Sequence, residues 1–178
     1  MTDSAQDQIE QNGFAILAAV FGDDVVDQIL SQLSVIMDDR MEHSESIRAR
    51  SGAVYAARNV LEVFPPAADI WQTPRLLQVI GETLGPDFGL VRVLYFDKPP
   101  DRTWTLPWHK DLTITVRRPT GNAAEQFKIR DKAGVPHVDA PLEVLESMLT
   151  LRLHLDEVTS ENGPLKVVTG SHRSGKRL

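Results

Sequence analysis

His109 and Asp111 form a His-x-Asp pair that follows Pro107-Trp108 and leads into the alternating run LTITV. In a β-strand, residues two apart point to the same face of the sheet, so both side chains can reach one metal ion. At the mouth of a β-barrel, such a pair supplies two ligands of a 2-His-1-carboxylate site. That site leaves positions on Fe(II) open for a co-substrate and O2. The pair therefore predicts a non-haem iron site, with a surface pair as the alternative.

The motif is weak without its context, because the chain contains a second copy of it. His137 and Asp139 have the same spacing but lie between Pro136 and Pro141. Proline cannot donate to a strand ladder, so this segment is not expected to be a regular strand. We expect the second pair to lie in a loop or to line a pocket rather than to bind the metal.

Residues 148–155 predict a strand with two different faces. Leucines occupy the odd positions, and the even positions hold Met148, Thr150, Arg152 and His154. The leucine face should be buried under helices, whereas the other face is either solvent-exposed or lines a barrel interior. In the barrel alternative, the planar guanidinium of Arg152 would bind an anionic group, with Thr150 and His154 beside it. His172 is expected to lie in a surface loop.

Helices dominate the first half of the predicted fold, and strands dominate the second. Helices are predicted at 4–12 (ending at Gly13), 23 to about 42 (capped by Asp23), 67–72 and 74–84 (opening on Pro74 and closing at Gly85). Strands are predicted at 14–17, 90–96, 148–155 and 165–168, besides the one that carries His109 and Asp111. Loops are predicted at 44–59 and 117–141. The second loop, with Lys128, Arg130, Lys132 and His137, is either a substrate lid or a solvated insertion.

Composition restricts the class of protein. The chain has 178 residues, 42% of them hydrophobic, a net charge of −6 and no cysteine. This length suits a single domain, and interspersed charges argue against nucleic-acid or membrane partners and favour a small-molecule substrate. The absence of cysteine excludes disulfides and favours the cytoplasm. The polar N-terminus is not a signal peptide, and no apolar run is long enough to span a membrane.

Several segments together resemble the phytanoyl-CoA dioxygenase family of Fe(II)/2-oxoglutarate oxygenases. They are WHKDLTITV, AGVPHVDAP and MLTLRLHLDEVTSENGPLKVVTGSHRSG, with GFAIL and YFDKPP upstream. The resemblance implies that His109 and Asp111 are the first two iron ligands and that Lys110 contacts the co-substrate. Arg152 and Thr150 would then also face 2-oxoglutarate. Fe(II), 2-oxoglutarate and O2 are the implied cofactors, with no catalytic residue beyond the metal ligands.

The resemblance also implies a fold and leaves part of the site unassigned. We expect an α+β domain over 1–178, with N-terminal helices (about 1–86) backing a double-stranded β-helix, a jelly-roll or cupin-like barrel (about 87–178). The family's third ligand and its 2-oxoglutarate-binding arginine would follow the Gly-Ser-His segment by tens of residues. The barrel is therefore expected to be incomplete at the C-terminus, as in a fragment or a truncated protein, with completion by another chain as the alternative. Exposed sheet edges would then favour a homo-oligomer.

Two other functions stay open at this point. A family member that keeps only two ligands could be a non-catalytic binding or interaction protein. A cupin-like isomerase or hydrolase could instead use His109, Asp111 and another histidine.

Overall fold

The computed structural model describes residues 3–40, 47–50, 53–97, 106–117, 128–132 and 134–177. The helices are α1 (Ala5–Asn12), α2 (Asp23–Arg40), α3 (Val60–Val63), α4 (Pro74–Leu84) and α5 (Leu142–Glu146). The strands are β1 (Ile47–Arg50), β2 (Ala53–Ala57), β3 (Tyr95–Phe96), β4 (Thr113–Thr115), β5 (Arg130–Lys132) and β6 (Val135–Asp139). Short 3₁₀ turns lie at Pro65–Ala68 and Ser171–Ser174. The α+β class is confirmed.

Local capping explains the helices that the sequence predicts best. In α1, Ser4 accepts from the backbone of Asp7 and the Asp7 side chain accepts from Ser4, while Gly13 ends the helix at φ 87°. In α4, Thr73 caps a helix that opens on Pro74. Both are standard start and stop signals. Helix α2 also forms as predicted, but Gly22 accepts its first backbone bonds, so Asp23 is the first helical residue rather than the cap.

The first sheet has the antiparallel order β1-β2-β3 and packs against α2 and α3. Its core consists of Ile29, Leu33, Ala57, Val60, Val63, Phe64 and Ala67. The predicted loop over 44–59 is thus wrong at β1 and β2. The predicted helix over 67–72 is also wrong, since only a 3₁₀ turn at Pro65–Ala68 overlaps it. Strand formation here follows from packing of Ala56 and Ala57 into the core rather than from the polar composition of the segment.

The second sheet has the antiparallel order β4-β6-β5, so the second His-x-Asp pair lies on its central strand. The predicted loop over 117–141 is therefore wrong at β5 and β6. Pro136 is tolerated because it removes a single ladder bond. Val116 still donates to the Pro136 carbonyl (3.0 Å), and the return bond from position 136 is missing, one position beyond the last registered pair, Thr115 with His137.

The other predicted strands do not join a ladder in the part of the chain that the structure describes. Residues 14–17, 148–155 and 165–168 have no strand pairing there, and the predicted strand 90–96 reduces to β3. No closed barrel is seen among those residues. The leucine face is only partly covered: Leu155 packs against the first core, whereas Leu153 stays 36% exposed. Alternation alone cannot make a strand that lacks a neighbour to pair with.

Residues 170–173 lie against the C-terminal end of α1. The Gly170 amide donates to the Asn12 carbonyl (2.7 Å), and His172 Nε2 lies 3.1 Å from the Glu10 carbonyl. Arg173 also donates to Glu10. These donors satisfy carbonyls that a helix end leaves without partners. Within the described ranges, no helix is long and apolar enough to cross a membrane.

Candidate metal centre

The His109 ring is held with one nitrogen free for a metal. Its Nδ1 lies 2.8 Å from the Pro107 carbonyl, which can only accept, so Nδ1 carries the proton. The neutral ring then has its lone pair on Nε2, 3.9 Å from Asp111 Oδ1. A backbone carbonyl that fixes the tautomer in this way is the usual second partner of a metal-binding histidine. The donor types and their convergence fit two ligands of one divalent ion.

The strand predicted to carry His109 and Asp111 begins only after them, at Thr113, so the pair lies just before β4. The second sheet that β4 enters has one mainly polar face. The register pairs Thr113 with Asp139 and Thr115 with His137 on one side, and Arg130 with His137 on the other. Directly paired residues share a face, and residues two apart do so as well. We call this the cavity face: Thr113, Thr115, Arg130, Lys132, Val135, His137 and Asp139. The opposite face carries Ile114 and the buried Val138.

A cavity of about 490 Å³ opens at the end of the cavity face where His109 and Asp111 lie. Its lining consists of His109, Lys110, Asp111, Leu112, Thr113, Arg130, Lys132, Asp139 and Lys176. Across it, Arg130 Nη2 donates to Asp139 Oδ2 (3.0 Å) and Lys132 Nζ donates to Thr113 Oγ1 (2.9 Å). Eight of the nine lining residues therefore have polar or charged side chains, Leu112 being the exception.

His137 is buried and connects the cavity face to Arg92. Its Nδ1 donates to the Val135 carbonyl (2.8 Å), so its Nε2 accepts from Arg92 Nη1 at 2.8 Å. Burial lowers the pKa of His137. The hydrogen bond to Val135 acts in the opposite direction, and the nearby charge of Arg92 lowers the pKa further. Burial likewise lowers the pKa of Arg92, which is close enough to Asp111 for their charges to attract. Sequence reasoning missed Arg92, although a charge inside the apolar run GLVRVLYF was a signal.

Lys110, predicted to contact the co-substrate, uses its ammonium group within the protein. Its Nζ donates to the Ser171 carbonyl (2.8 Å), Ser174 Oγ (2.7 Å) and the Gly175 carbonyl (2.5 Å). An ammonium group has three donors, and all three are occupied. This joins the segment between the two metal-ligand candidates to the turn Ser171–Ser174.

Lys110→Met is expected to lower the free energy of unfolding by about 1–3 kcal/mol, because three charge-assisted bonds are lost. Urea unfolding measures this, and faster amide exchange at residues 171–175 should accompany it. The exposed Lys166 is the matched control, and Lys166→Met should leave both unchanged. Unaltered stability together with a raised KM for 2-oxoglutarate would instead support a co-substrate role for Lys110.

The remaining predicted site residues lie elsewhere. Thr150 and Arg152 are exposed and do not line the cavity, so their contact with 2-oxoglutarate stays a prediction. His172 is exposed. Asp139, from the second pair, does line the cavity. Among the residues with described positions, no third His, Cys, Asp or Glu joins His109 and Asp111 in a metal-binding group.

A histidine and a carboxylate that converge beside a polar sheet define a candidate metal-dependent enzyme site. The family model for phytanoyl-CoA dioxygenase (PhyH) matches residues 9–178. The chain therefore belongs to the phytanoyl-CoA dioxygenase family, as its motifs predict. No curated protein and no solved structure matches it significantly.

Proposed function

We propose that this chain is an Fe(II)- and 2-oxoglutarate-dependent dioxygenase that hydroxylates a small molecule. The observation that supports this most directly is the His109 geometry. The Pro107 carbonyl holds the ring by Nδ1 and leaves Nε2 free, 3.9 Å from Asp111 Oδ1, so one ion could contact both. Family membership adds the oxygenase class, since oxygenase activity is typical of the family. Cytoplasmic location is part of the proposal and rests on the absence of cysteine.

His109 and Asp111 would hold the iron, and the third ligand is not among the described residues. When bound, Fe(II) would supply the oxygen activation that couples 2-oxoglutarate decarboxylation to substrate hydroxylation. The protein's own groups provide orientation. Pro107 keeps the proton on Nδ1, and the 51% exposure of the His109 side chain leaves Nε2 open to the cavity. Arg92, whose Nη1 donates to His137, is close enough to Asp111 for their charges to attract.

Succinate release tests the proposal. The wild-type chain should form succinate from 2-oxoglutarate in the presence of Fe(II) and ascorbate, and EDTA should stop the reaction. His109→Ala should abolish it, whereas His154→Ala, which changes an exposed histidine outside the cavity, should retain it. Equal succinate release from wild type and His109→Ala would contradict the assignment. Metal binding without succinate from any form would favour the non-catalytic binding protein.

A further inference from the structure

The cavity beside His109 is positive although the protein is acidic. The chain has a net charge of −6, yet the cavity lining contains four basic side chains, Lys110, Arg130, Lys132 and Lys176, against two acidic ones, Asp111 and Asp139. A concave surface lined by one sign of charge raises the local concentration of ions of the opposite sign. The excess of positive charge therefore suits an anionic ligand.

The four bases differ in how much binding capacity they retain. Lys110 uses all three donors within the protein, and Lys176 donates to the Ala140 carbonyl. Arg130 makes one bond to Asp139, through one of its five N–H groups. Lys132 bonds to the neutral Thr113 Oγ1, and no carboxylate among the described residues forms an ion pair with it. Among the described residues Lys132 therefore has no carboxylate partner, and two of its three N–H donors remain available there at the cavity wall.

We propose that Lys132, together with Arg130, binds an oxyanion group of the substrate, a carboxylate or a phosphate. That the bound anion belongs to a substrate rests on the proposed oxygenase function. The anion site itself is argued from the cavity geometry alone. Lys132 bonds to Thr113, which follows Asp111 by two residues, a separation of at most about 7 Å along the chain. A substrate whose anionic group is bound by Lys132 and Arg130 would therefore present to the metal a carbon only a few bonds from that group. The substrate class is a small carboxylate or phosphate ester hydroxylated near that group.

The test is a titration of the full chain, without iron, followed by NMR of the backbone amides. The probes are inorganic phosphate and acetate, with chloride at matched ionic strength as the reference. Phosphate or acetate should shift the amides of Thr113, Arg130 and Lys132. Lys132→Met should weaken the affinity by about 10- to 100-fold, the range expected for a bond to a charged group. Lys132→Arg, which keeps the charge, should retain binding, and Lys166→Met should match wild type.

The outcomes separate this site from the oxygenase proposal because no turnover is measured. Equal anion affinity in Lys132→Met and wild type would overturn the site, as would shifts that avoid the cavity face. Lys132→Arg keeps the charge, so retained binding in this variant would show that the loss in Lys132→Met comes from the missing charge and not from misfolding. Loss of binding in a folded Lys132→Arg protein would contradict the site. A second arm adds 2-oxoglutarate with Mn(II). Persistence of the phosphate shifts assigns the anion site to the substrate, whereas displacement of phosphate by 2-oxoglutarate would overturn that assignment.

Discussion

Asp111→Asn should weaken binding of Mn(II), used as a surrogate for Fe(II), by at least about 100-fold. Removing an outer partner of a metal ligand typically costs about 10- to 100-fold in affinity, and loss of a charged ligand should cost more. Asparagine keeps the size and one oxygen but removes the negative charge that attracts the cation. His109→Ala should have a similar effect, since it removes the Nε2 lone pair that Pro107 directs toward Asp111.

Asp139→Asn is the matched control for this prediction. Asp139 is also a carboxylate of a His-x-Asp pair and lines the same cavity, but it is bonded to Arg130. Its partner His137 has both ring nitrogens engaged, so no lone pair is free for a metal. Mn(II) electron paramagnetic resonance of free and bound ion gives the dissociation constants. A loss of affinity in Asp139→Asn as large as in Asp111→Asn would assign the metal to the second pair.

The helices were predictable because their signals are local. Ser4 and Gly13 bound α1, and Thr73 with Pro74 opens α4, within one turn of the residues that they cap. Such capping preferences act through backbone bonds between near neighbours and do not need the rest of the fold. The sequence therefore predicted the two ends of these helices almost to the residue.

The sheets were less predictable because strand pairing is not local. Residues 148–155 alternate perfectly but have no partner strand among the described residues, whereas β6 contains a proline and is central. The cost of Pro136 depends on the neighbour that its missing N–H would face. That neighbour is Val116, one residue beyond the end of β4, so a single hydrogen bond at the edge of the ladder is lost. A rule against proline in strands could not anticipate this position.

The site was predictable where it depends on spacing and not where it depends on packing. His109 and Asp111 converge because they are two residues apart, and the structure places their side chains 3.9 Å from each other. Arg92 reaches His137 across 45 residues of sequence, and Lys132 reaches Thr113 across 19. These contacts require the fold of the second sheet, which the sequence pattern did not reveal. Arg130 and Lys132, predicted on a lid or insertion, belong to a strand instead.

His137→Phe should lower the free energy of unfolding by about 2–3 kcal/mol at pH 7.5. Phenylalanine has a ring of similar size but no ring nitrogen. The Val135 carbonyl and the half-buried Arg92 guanidinium therefore lose the hydrogen bonds that they form with the His137 ring. Buried polar groups that lose a partner cost about 1–3 kcal/mol each, and partial access of Arg92 to water limits the sum. Urea unfolding measures the change. His154→Phe, at an exposed position, should stay within about 0.5 kcal/mol of wild type.

Wild type and His137→Phe should also differ in how the free energy of unfolding depends on pH. Burial lowers the pKa of folded His137 below the ordinary value of 6.5, so the unfolded chain binds the proton first as the pH falls. Stability then falls on acidification through 6.5, because protons favour the state that binds more of them. The phenylalanine variant lacks this contribution, so the stability gap between it and wild type should narrow from pH 7.5 to 5.5. A constant gap would mean that His137 is protonated equally readily in both states, which its bond from Arg92 argues against.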